Sequence, residues 1–253
     1  MNTVARNWNV GGNRENYQSI GNVIYLDLST KKEMASKRKT DSMYKSNGQR
    51  KAEAGDPIRK LEDIKAMKEY FLNKDLKQHL FFVIGITSGF RVSDIKKLTY
   101  RDFQCREIKL REKKTRKFNS FYLTDEAVDA FEMLIDDLSK SGKSYNLDDY
   151  IFCSKVSGKK DVPNKQMNNS SIYRFITKAA NELNIEGHIS THSLRKTFAY
   201  HMLRTHKFDE EARYTLQAML NHSDIKTTFA YSGLEKDKQD EMRITIDKHF
   251  FQM

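Results

Sequence analysis

Ser88-Gly89-Phe90-Arg91-Val92-Ser93-Asp94-Ile95 follows the most apolar run of the chain, Leu80-Phe81-Phe82-Val83-Ile84-Gly85-Ile86. The apolar run fits a buried helix over residues 77–88, and falls well short of the roughly 20 residues that span a bilayer. Thr87 through Arg91 break that helix. Ser93 then reads as the N-cap of a short helix through Leu98. Arg91 therefore stands at a turn into a helix, and a helix N-terminus is a natural place for an anion. Taken alone, the same residues also describe an arginine on a surface turn.

Upstream, Leu61, Ile64, Met67 (or Lys68), Phe71 and Leu72 recur at helical spacing, so a folded region begins near Asp56-Pro57. Downstream, the period changes. Arg106–Arg111 and Phe118–Leu123 alternate, and between them lies Lys113-Lys114-Thr115-Arg116-Lys117, which predicts a β-hairpin with a cationic tip. Thr124 caps a helix running to about Ser141, and further helices are expected near 169–183, 191–205 and 209–220. The tail from Leu234 to Phe250 is amphipathic, with Met242, Ile246 and Phe250 spaced by four. An apolar stripe of that kind packs either on its own chain or on a neighbour. The expected architecture is mainly helical with one small antiparallel β-sheet.

Residues 1–55 differ from the rest. They hold ten Lys or Arg against five Asp or Glu, and Asn, Ser, Gly and Lys dominate. They read as a basic, polar, partly disordered N-terminal extension, either a DNA-contacting arm or a passive tail. Residues 56–253 form the folded domain.

The whole chain has 253 residues and a formal charge of +11. Its 38% hydrophobic and 11% aromatic content is enough for a core and excludes a fully disordered chain. The N-terminus has no apolar core of a signal peptide. Cys105 and Cys153 make neither metal-ligand spacing nor a disulfide framework. The expected setting is a reduced, cytosolic one. The positive charge favours phosphate polymers as partners, because each neutralised phosphate releases counterions.

His192 and Arg195 stand at i and i+3 of one predicted helix, so both can face one anionic oxygen. Singly, this pattern also describes a buried histidine beside an exposed arginine. The ordered set is more specific. Gly89 through Asp94 is followed by the Lys-Thr hairpin, then His192-Ser193-Leu194-Arg195, then Leu220-Asn221-His222, then Tyr231 nine residues after His222.

From about Asp56 to the C-terminus this order resembles the catalytic domain of the tyrosine recombinase (phage integrase) family. The first box, Gly-x-Arg-x-Ser-Glu/Asp, is met from Gly89 to Asp94. His192 and Arg195 meet the His-x-x-Arg box. Leu220-Asn221-His222 stands for Leu-Gly-His, a mild departure, since Asn tolerates left-handed backbone. The separate DNA-clamping domain usual before the catalytic one has no counterpart in these 55 polar residues, so the chain resembles the short members.

The resemblance implies the fold of that catalytic domain and a set of roles. Tyr231 is the nucleophile, and Arg91 and Arg195 hold the phosphate. Lys114 is the acid for the leaving oxygen, with Lys113 and Lys117 as rivals. His192 is a base or a phosphate contact. His222 bonds a non-bridging oxygen, and Asp94 supports Arg91. Tyr200 and Tyr214 are left as core or surface residues.

It also implies double-stranded DNA as partner, a homo-oligomer that is a tetramer on paired sites, no membrane, no metal and no cofactor. A bacterial or phage-encoded, nucleoid-associated enzyme follows. Two other readings share the fold: a non-catalytic DNA-binding regulator, and relaxation of supercoils in the manner of type IB topoisomerases.

Overall fold

The computed structural model of the chain describes residues 55–156, 160–206, 209–225, 228, 239 and 241–246. The extension expected over residues 1–55 lies outside them save for Gly55, and so does Tyr231.

The first helix, α1 (Leu61–Lys74), has Glu62 and Asp63 in its first turn and Lys74 in its last, matching the helix dipole. Its buried residues are Met67 and Phe71. Leu61 is exposed instead, because the apolar stripe faces the core only from the second turn. Asp75 ends α1 and caps α2 (Leu76–Thr87), accepting from the amides of Lys77 and Gln78. The second helix is buried from His79 to Gly85 and packs against four other helices.

The third helix, α3, spans only Val92–Ile95. Its N-cap is Arg91, in extended backbone, so Ser93 falls inside the helix rather than capping it. The helix also stops short of Leu98. A four-residue helix gathers little dipole, so the anion site expected there rests on side chains.

A 3-10 turn at Tyr100–Gln104 leads into a hairpin of β1 (Glu107–Arg111) and β2 (Phe118–Tyr122), paired Glu107↔Tyr122 through Arg111↔Phe118. Then come α4 (Asp125–Lys140), capped by Thr124, and a second hairpin of β3 (Cys153–Val156) and β4 (Lys160–Gln166). This second two-stranded sheet was not expected. Its strand Lys-Asp-Val-Pro-Asn-Lys-Gln is polar and carries a proline, so it lacks the alternation that marks a strand.

The chain closes with α5 (Asn169–Glu182), α6 (Thr191–Thr205) and α7 (Glu210–Met219). Residues 241–246 are also helical. Met242, Ile244 and Ile246 there are all at least half exposed, and Phe250 lies outside the described residues. The fold is mainly helical with small antiparallel hairpins. No helix of the described residues is long and apolar enough to cross a membrane.

The core joins α1, α2, α4 and α5 with the inner side of the first hairpin. A smaller cluster joins α6 to α7 through Phe198, Leu203, Leu216 and Leu220. Gly85 lets α2 and α6 approach closely, since a Cβ there would sit 2.6 Å from Leu194 Cδ1. That approach holds the start of α6 beside the Ser88–Arg91 turn.

Candidate functional site

Four expected side chains meet on one cleft. Arg91, Lys114, His192 and Arg195 line a cavity of about 240 Å3, together with Val92, Ser93, Asn169 and Thr191. They come from three separate stretches: the turn into α3, the tip of the first hairpin, and the first two turns of α6. Lys113 and Lys117 are not among the lining residues.

Arg195 is buried, with 2% exposure. Its Nη1 donates to the Gly89 carbonyl at 2.7 Å and its Nη2 to the Leu220 carbonyl at 2.5 Å. Gly89 has φ +66°, and a Cβ there would meet Phe198 Cδ1 at 2.5 Å. Only glycine both adopts that backbone and leaves room for Phe198. The first box thus carries a glycine because its carbonyl must reach the second arginine.

His222 stands against Arg195, with Nε2 at 3.2 Å from Nη2, and its Nδ1 lies 3.1 Å from Thr228 Oγ1. Burial, then the charges of Arg195 and Arg91, push the His222 pKa down to about 4. The preceding Asn221 has φ +51°, the left-handed backbone its side chain tolerates. His192 is pushed below its usual range as well, first by the protein around its ring, then by Lys196, Arg195, Lys114 and Arg91. Its outer edge stays open to solvent. Both rings are therefore biased to the neutral form.

Arg91 Nη1 donates to Glu112 Oε2 at 2.6 Å. Asp94 is fully buried, and its Oδ1 accepts from Lys97 Nζ at 3.0 Å and from the Lys113 amide at 2.8 Å. Its link to Arg91 is through the main chain, its own amide donating to the Arg91 carbonyl at 2.7 Å. Glu112 was not expected in the site. Its carboxyl is buried, which raises its pKa, but hydrogen bonds from Thr115 and Asn119 and the Arg91 charge hold it below the usual range. The signal for it was parity: Ile108, Leu110 and Glu112 share the inward side of the strand.

Of the tyrosines left aside, Tyr200 is in the core and Tyr214 is 59% exposed. Tyr231 lies outside the described residues. Chemically, the cleft presents two guanidiniums, an ammonium and an imidazole around one space, a donor set suited to an anionic group.

Residues 59–238 match the model of the phage integrase family. A probable integrase/recombinase of Bacillus subtilis (strain 168), YoeC, is 34% identical over 182 residues, covering 72% of this chain and 91% of that protein. The XerA recombinase structure superposes with a TM-score of 0.57 at 24% identity, covering 74% of this chain and 64% of that one. A Tn1549 transposon integrase fragment, solved in complex with a circular intermediate DNA, superposes with a TM-score of 0.52 at 20% identity, covering 75% and 67%. The fold is theirs, and the sequence match over most of its length places this chain in the phage integrase family.

Proposed function

We propose that this protein is a site-specific DNA recombinase that cuts and rejoins DNA through Tyr231. The observation that supports it is the meeting of Arg91, Lys114, His192 and Arg195 on one cleft, with His222 bracing Arg195.

The Tyr231 hydroxyl attacks the scissile phosphorus, forming a 3′-phosphotyrosyl bond and breaking the bond to the 5′-oxygen. His192, biased to its neutral form, accepts the tyrosine proton or contacts the phosphate. Arg91 and Arg195 hold the non-bridging oxygens as charge grows on them. Lys114 gives the leaving 5′-oxygen its proton. A 5′-hydroxyl from the partner strand then attacks the phosphotyrosine and releases the enzyme. One phosphoester replaces another at each step, so no ATP is needed.

His222 braces Arg195 in the DNA-free geometry. To bond a non-bridging oxygen, its proton moves from Nδ1 to Nε2, once the Nη2–H that faces the ring turns to the phosphate while the other keeps the Leu220 carbonyl.

In this reading residues 56–253 form the catalytic domain and residues 1–55 an extension. The protein works on double-stranded DNA in the cytoplasm, at the nucleoid, as a tetramer on paired sites. The exposed Met242, Ile244 and Ile246 suit packing against a neighbouring protomer.

Nicked suicide duplexes tiled across the DNA flanking the gene test this on denaturing gels. A covalent adduct lost in Tyr231→Phe is the expected result. Salt-sensitive binding with no adduct would favour a regulator. Relaxation of a supercoiled plasmid without exchange would favour topoisomerase-like activity.

A further inference from the structure

Among the charged residues of Arg111–Lys117, Glu112 is the one acid and the one buried member, at 2% exposure. Oε2 accepts from Arg91 Nη1 at 2.6 Å and Thr115 Oγ1 at 2.5 Å, and Oε1 accepts from Asn119 Nδ2 at 3.2 Å. The same Asn119 nitrogen reaches the Met219 carbonyl at 3.1 Å, at the end of α7. The main chain of Glu112 also closes the turn, donating to the Lys117 carbonyl and accepting from the Arg116 amide, each at 3.0 Å. On the other side of Lys114, the Lys113 amide is held by the buried carboxylate of Asp94. Lys114 thus stands between two anchored neighbours, Lys113 and Thr115.

A carboxylate taken out of water costs stability unless donors satisfy it. Here the two donors to Oε2 are Arg91, which lines the cleft, and Thr115, in the turn that carries Lys114, while Asn119 of β2 serves Oε1. We propose that Glu112 is a positioning residue: it binds Arg91 and Thr115 through one oxygen, so that Arg91 and Lys114 are presented to the same phosphate as a unit. The inference rests on Lys114 being the acid for the 5′-oxygen. It gives the hairpin tip a defined position before DNA arrives, which is what a proton donor within reach of one oxygen requires.

Amide hydrogen exchange on the DNA-free full chain tests the hold on the turn. Glu112→Gln and Thr115→Val are expected to speed exchange across Lys113–Lys117 and to leave α5 unchanged. Unaltered exchange in both variants would overturn the proposal. Thr115→Val keeps the carboxylate, so the test survives if Glu112→Gln fails to fold.

Single-turnover cleavage then tests the chemistry, on the duplex mapped by the adduct assay, with oxygen or sulfur at the bridging 5′ position. A thiolate leaves without a proton. Glu112→Gln is expected to slow the oxygen substrate on the order of 10–100-fold, the scale of a small misplacement, and to be restored by sulfur, as Lys114→Ala should be. Glu112→Gln equally slow on both substrates, with Lys114→Ala restored, would overturn the proposal and leave the acid assignment standing. Lys114→Ala slow on both would remove the acid assignment and the proposal with it.

Discussion

Arg195 Nη2 lies 3.2 Å from His222 Nε2 while also donating to the Leu220 carbonyl. A guanidinium only donates, so Nε2 is the acceptor and the His222 proton sits on Nδ1, toward Thr228 Oγ1. The ring is thereby held neutral beside a permanent cation.

That arrangement sets a pH dependence. An unfolded imidazole titrates near 6.5, whereas His222 is pushed to about 4. Between about pH 6.5 and 4 the unfolded chain binds a proton that the folded chain refuses. Stability is therefore full above that window, falls as pH falls through it, and levels off below. His79, His192 and His201 shift in the same direction, so a variant isolates the His222 share. In urea titrations at several pH values, His222→Gln should show a shallower decline than the wild type. Parallel declines would place the effect on the other histidines.

Gly89→Ala should be among the most damaging single-methyl changes in the chain. It forces an alanine to φ +66° and drives a methyl to 2.5 Å from Phe198 Cδ1. Left-handed backbone and overpacking together cost about 2–4 kcal/mol. Urea unfolding measures that loss, and a shift below about 1 kcal/mol would mean that Phe198 yields without cost.

Asn221 offers the reverse case. Its φ of +51° is strained for most side chains but free for glycine. Asn221→Gly should leave stability within about 0.5 kcal/mol, and Asn221→Ala should lose about 1 kcal/mol. Equal losses in thermal melts would show that the Asn side chain, not the backbone, is what the position needs.

Charge makes the last prediction. Deleting residues 1–50 removes nine cations against four acids. DNA affinity should weaken, and the slope of log affinity against log salt should become flatter. Fluorescence anisotropy across a salt series reads both. An unchanged slope would make the segment a passive tail.

The helices were legible because burial follows period, and α4, α5, α6 and α7 fall within a residue or two of their expected ends. The start of α3 was misplaced because Ser93 is a good capping type, while the cap is set here by the extended backbone of Arg91. The β3–β4 hairpin was hidden by its polar, proline-bearing strand. The cleft residues could be named since each belongs to a short motif of fixed order. Glu112 could not, because one acid in a basic turn looks like a solvated charge until the strand's inward side is traced to its end.

The two carbonyls that hold Arg195 also bear on timing. A free arginine side chain loses about 2 kcal/mol of rotamer freedom when it is fixed. In this chain Gly89 and Leu220 fix it as the protein folds. At about 1.4 kcal/mol per tenfold in rate, a loose arginine would concede roughly thirtyfold at the moment of encounter. DNA reaching the cleft meets a guanidinium whose conformational search is already over.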